Sequence, residues 1–116
     1  QLVVCSLAED RAEALDAARL LVTQYLGQQP HIMAASGVPD SLLEAVNAVL
    51  TWPATMEQVE AASVLVPDDI VQMLCAAGTA EECRAKVDEY VANGATCPIL
   101  YPLGPDVAAM IDVFSP

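Results

Sequence analysis

Few residues in this sequence have the types and spacing that chemistry requires. Cys5, Cys75, Cys83 and Cys97 are candidates for zinc or disulfides, but no two stand at CxxC spacing and three of the four sit in strongly apolar contexts. A free thiol in such surroundings behaves as a small hydrophobe, so these read as buried free thiols and no metal site is expected. His31 is the only histidine, so a Ser-His-Asp or Cys-His apparatus would depend on it alone. It falls in a segment broken by Pro30, Gly37 and Pro39, and no catalytic role is assigned to it. The acid pairs Glu9-Asp10, Asp68-Asp69 and Glu81-Glu82 resemble general acid–base pairs, yet all lie at predicted helix N-termini. The helix dipole stabilises negative charge there by roughly 0.3–1 kcal/mol, so capping accounts for them. GxGxxG and GxxxxGK[ST] are both absent, and Gly78 alone separates a strand candidate from a helix. The residues themselves therefore point to no catalytic, cofactor-binding or metal-binding set.

Composition narrows the function classes. The 116 residues carry a net charge of −12 with only four basic residues, a balance that repels phosphate backbones and anionic membrane surfaces. No nucleic-acid or membrane partner is expected, and no apolar run approaches the ~20 residues of a membrane span. No signal peptide can be read, so a cytoplasmic location is expected. The opening Gln1-Leu2-Val3-Val4-Cys5 resembles the inside of a strand, which implies that sequence upstream has been removed. Hydrophobic residues make up 55% and aromatics only 4%, so Ala, Val, Leu and Met must fill the core. Such small side chains favour closely approaching helices over a β-sandwich.

The elements that would position these residues are clearest between Ala76 and Gly104. Thr79 with Glu82 writes a capping box, and Cys83, Val87, Tyr90 and Val91 then recur at helical spacing until Asn93-Gly94 ends the helix. The apolar run Cys97 to Tyr101 has no helical period, is stopped by Pro102 and Gly104, and reads as a strand buried on both faces. A helix followed by such a strand is half of a βαβ unit. Upstream, Leu2 to Leu7 is a strand candidate. Ser6 or Asp10 could cap the helix after it, whose face is Leu15, Ala18, Val22 and Tyr25 or Leu26. Gln28 to Val38 is loop-like with room for a helical turn at Ile32 to Ala35. Further helices are predicted from Pro39-Asp40-Ser41 to Trp52-Pro53, from the Thr55/Gln58 capping box to about Leu65, and from Pro67-Asp68-Asp69 through Leu74. Cys75 to Gly78 is a very short strand candidate, and Val107 to Phe114 a last helix. The pattern predicts an α/β domain, mainly helical with a few short strands.

Three stretches together carry a family resemblance: YLGQQPHIMAASGVPDSLLEAVNAVLTWPAT, LVPDDIVQMLCAAG and GTAEECRAKVDEYVANGATCPILYPLG. They resemble the C-terminal part of luciferase-like flavin-dependent oxidoreductases, in the branch similar to methylenetetrahydromethanopterin reductase, whose members use FMN or a deazaflavin coenzyme. The resemblance implies the last third of a (β/α)8 TIM barrel. Leu2 to Leu7, Cys75 to Gly78 and Cys97 to Tyr101 would be strands six, seven and eight, and residues 39–65 a helical insertion. It further implies that the segments holding the flavin ring and phosphate in relatives lie outside this sequence, so no cofactor binding and no activity are expected of these 116 residues alone. Tyr101, Pro102 and Leu103, at the C-terminal end of the eighth strand, become substrate-pocket candidates, with His31 near the mouth. The eighth strand is expected to pair only with the seventh, and Val87 and Val91 to face the sheet. Exposed strand edges lead us to expect self-association, or docking with the remainder of the barrel. A second reading, of a different class, is a free-standing acidic helical protein-interaction module.

Overall fold

The computed structural model describes residues 1–104 and 106–116. The described residues form three strands and seven helices in two compact units, one of Gln1–Ala18 with Gln72–Pro116 and one of Arg19–Val71. The elements are β1 (Leu2–Leu7), α1 (Arg11–Gln28), α2 (Pro30–Ala35), α3 (Asp40–Val49), α4 (Met56–Ser63), α5 (Asp68–Leu74), β2 (Ala76–Gly78), α6 (Ala80–Ala92), β3 (Ile99–Leu103) and α7 (Val107–Phe114). The result is a mixed α/β chain, mostly helical, with one small parallel sheet, as the pattern predicts.

In the first unit the sheet order is β2-β1-β3, both pairs parallel. This corrects the expectation that the last strand pairs only with the short one before it. The cause is strand length: β1 offers β3 five paired positions, Leu2↔Ile99 through Ser6↔Leu103, whereas β2 is only three residues long. The last strand also begins later than expected, at Ile99, and runs through Pro102. Ile99 N–H donates to the Gln1 carbonyl at 2.8 Å. In this register residues 99, 101 and 103 point their backbone groups at β1, while 100 and 102 point theirs at the open edge. Pro102, which has no N–H, therefore sits where no ladder bond is lost.

Right-handed crossovers out to β2 and back past β1 must place helices on opposite faces of the sheet. The packing agrees. Val3 and Cys5 join Ala76, Cys83, Val87 and Met110 in a buried cluster, with Leu7, Tyr90, Leu100 and Phe114 against it, so α6 and α7 cover that face. Ser6, pointing to the other face, donates its hydroxyl to the Ala14 carbonyl at 2.7 Å, which seats the start of α1 there. That face is not covered along its whole length. Ile99 and Tyr101 remain 58% and 47% exposed, and β3 has no buried residue, contrary to the expectation of a strand buried on both faces.

Both predicted capping boxes form. Glu82 N–H donates to Thr79 Oγ1 while Thr79 N–H donates to Glu82 Oε2, and Thr55 and Gln58 repeat the pattern. Asp10, not Ser6, caps α1, its Oδ1 accepting from Ala12 N–H at 3.0 Å. Val87 faces the core at 8% exposure and Tyr90 packs against it, but Val91 is 50% exposed, contrary to the expectation that it faces the sheet.

The second unit is helical. Val22, Leu26, Leu43, Val46, Val59 and Ala62 are among its buried residues, and Asn47 Nδ2 donates to the Leu26 and Leu43 carbonyls. Gly27 is closely packed: a Cβ there would lie 2.7 Å from Leu50 and 2.8 Å from Trp52, so those side chains would have to shift to admit one. Arg19 bonds to the Val66 carbonyl and the Asp68 carboxylate, joining α1 to the start of α5. The segment read as loop-like contains α2, six residues with Pro30 at its first turn and no buried side chain.

Candidate functional site

Parallel α/β sheets place their chemistry beyond the carboxyl ends of the strands. In the first unit that end holds one densely bonded group, the Glu82 carboxylate. Its Oε1 accepts from Arg11 Nε at 2.8 Å and from Gln72 Nε2 at 3.0 Å, and its Oε2 accepts from Thr79 N–H at 2.8 Å. The local sequence makes this possible. Gly78 takes φ 131°, and a Cβ there would lie 2.1 Å from Glu82 Oε2, so only glycine lets the carboxylate fold back over the β2–α6 turn. The Arg11 bond first, then the Thr79 N–H, hold Glu82 down at about 2, below the ordinary 4.5; partial burial opposes this and Gln72 assists it. Fully ionised and fully bonded, Glu82 ties the loops after β1 and β2 together. It is not poised to move a proton near neutral pH.

Beside it, along the open edge of β2, lies a groove of about 250 Å³ lined by Gln72, Cys75, Ala77, Glu82, Lys86 and Glu89. Burial pushes the Cys75 thiol up to about 12, so it is no nucleophile. Lys86 Nζ lies 3.4 Å from both Glu89 carboxylate oxygens and 5.7 Å from the Tyr90 ring centre. Gln72 Nε2 also donates to the Ala77 carbonyl at 3.2 Å, occupying the acceptor that β2 turns to its free edge.

The pocket candidates do not converge. Tyr101 and Leu103 lie on the sheet face shared with Val4 and Ser6, whereas Pro102 projects to the other face beside Cys5; all three belong to β3 and do not follow it. His31 is exposed on α2 in the other unit. All four cysteines are free, but only Cys5, Cys75 and Cys83 are the buried thiols expected; Cys97 is exposed, because the strand it was assigned to starts two residues later, at Ile99. Cys83 spends its thiol on backbone, 3.5 Å from the Ser6 carbonyl and 3.4 Å from that of Ala76. Sequence reasoning placed Glu82 as a cap but missed Arg11 and Gln72, which lie 71 and 10 residues away from it. The one available signal was scarcity: with four basic residues among sixteen acids, each cation was bound to be used. Arg84, exposed on α6, likewise donates to the Val113 carbonyl at the C-terminal end of α7.

No helix among the described residues is long and apolar enough to cross a membrane. A family model described as luciferase-like monooxygenase matches residues 1–97 of the 116. No curated protein and no solved structure matches the chain.

Proposed function

This chain belongs to the luciferase-like monooxygenase family, and from that premise we propose that it forms the C-terminal part of a flavin- or deazaflavin-dependent oxidoreductase that transfers hydride between reduced cofactor and substrate. The observation that carries the reading is the family match together with two successive parallel strand-to-helix steps, β1–α1 and β2–α6, the repeating step of a (β/α)8 barrel. In this reading β1, β2 and β3 supply strands six, seven and eight, and residues 39–65 are a helical insertion. The parent is of the methylenetetrahydromethanopterin reductase-like branch and works in the cytoplasm.

The residues present do not fit a cofactor phosphate. The helix starts of α1, α6 and α7 are already occupied by Asp10, Thr79 with Glu82, and Asp106, leaving acidic side chains where a phosphate would need free N–H groups. We therefore route no step through a cofactor here. The contribution assigned to this chain is scaffold and pocket wall: Glu82 with Arg11 and Gln72 sets the loops at the carboxyl ends of β1 and β2, and Tyr101 and Leu103 present an apolar surface suited to a planar ring or substrate. The half-exposed Ile99 and Tyr101 supply the surface for docking with the remainder of the barrel, or for self-association.

The test is a fluorescence titration of FMN and of a deazaflavin against two polypeptides, these 116 residues and the same sequence extended upstream to its natural start. Saturable binding by the extended chain alone is expected. If the extended chain binds neither cofactor, the oxidoreductase reading is wrong and the acidic interaction module stands in its place.

A further inference from the structure

The three strands are unequally seated. All three residues of β2 are buried and β1 lies at the centre of the sheet, but β3 has no buried residue even though parallel strands depend on cover over both faces. Beyond the β1 ladder, β3 is seated by Leu100 against the helix-covered core, and the segment before it by a bond from the Gln1 nitrogen to the Cys97 carbonyl. At the opposite edge of the sheet a side chain does a strand's work: Gln72 satisfies the Ala77 carbonyl beside the groove along β2.

Resting on the reading that the chain supplies the last three strands of a barrel, we infer that β3 is a placeholder on β1. The β1 edge it covers is the docking edge for the preceding parallel strand of the barrel, and docking sends β3 across to the β2 edge, where it displaces Gln72. In a barrel each strand pairs with its sequence neighbours, which gives β1-β2-β3 and leaves the far side of β1 to an earlier strand; here β3 occupies that side. Adding beyond β3 would give the poorer ladder, because Pro102 turns a position with no N–H to the outer edge, so replacement of β3 is favoured. The connection allows the move. Residues 93–98 carry no helix or strand, include Gly94 at φ 106°, and reach about 20 Å, more than the ~14 Å of three strand spacings.

The register supplies the test, because neighbouring amides of β1 report different edges. Cys5 and Leu7 N–H point to β3, while Ser6 N–H points to β2. Residue-resolved amide exchange by NMR on the full 116-residue chain is expected to show Cys5, Leu7 and Tyr101 exchanging at least about tenfold faster than Ser6, the signature of β3 leaving while β1 and β2 stay paired. A ratio below about tenfold means that β3 opens only with the rest of the sheet, and overturns the placeholder. That result leaves the barrel reading standing, whereas failure of the upstream-extended chain to bind cofactor removes the barrel reading without altering the exchange ratio.

Discussion

Val87 gives the sharpest test of how α6 packs. It stands mid-helix at 8% exposure among Val3, Cys5, Ala76, Cys83 and Met110, a cluster with no charged member. Val87→Asp forfeits burial of the apolar side chain, roughly 1.5–3 kcal/mol, and sets an unpaired polar group in the core for about 1–3 kcal/mol more. A total near 3–5 kcal/mol is comparable to the whole stability of a small domain, so Val87→Ala is the graded companion at about 2 kcal/mol. Two controls share the helix. Val91→Ala, at a half-exposed position, is expected to be within about 0.5 kcal/mol of neutral, and so is Glu89→Ala, whose 3.4 Å contact with Lys86 is screened by solvent. Urea unfolding followed by circular dichroism, with the slope checked for constancy, measures all four. Should Val87→Asp cost less than about 1 kcal/mol, or Val91→Ala cost as much as Val87→Ala, the face assigned to α6 is wrong.

Glu82 sets a pH dependence. Its folded value is depressed, so its contribution is fully present above the ordinary 4.5 and disappears as pH falls toward about 2. With 34% of the side chain exposed, screening limits the effect to roughly 1 kcal/mol, and acid titration of Glu82→Gln should lack that drop between pH 4.5 and 2. Gly78→Ala should destabilise by roughly 1–3 kcal/mol, because φ 131° is strained for any side chain and the new Cβ collides with Glu82; it should also flatten the acid transition, which calorimetry across pH would detect. Under native conditions iodoacetamide should alkylate Cys97 alone, with Cys5, Cys75 and Cys83 reacting only in denaturant; mass spectrometry of tryptic peptides reads the outcome directly.

Local signals in the sequence were enough to define most elements. The capping boxes at Thr55 and Thr79 close over three residues, Asn93-Gly94 ends α6, and apolar spacing picked out Cys83 and Val87, because helix start, stop and buried face depend on neighbours within a turn or two. The family was also legible, carried by separated words in a fixed order. What only the tertiary structure decided lay at long range. The pairing of β3 with β1 follows from β1 having the longer ladder to offer, and no property of residues 97–104 reveals which strand will be beside them. Pro102 read as a stop because it cannot donate, yet it sits inside a strand once its missing N–H faces an open edge. The same holds for the candidate site. Glu82 was visible as a cap, but its partnership with Arg11 depends on the loops after two parallel strands ending side by side, a juxtaposition made by the sheet and encoded in neither segment alone.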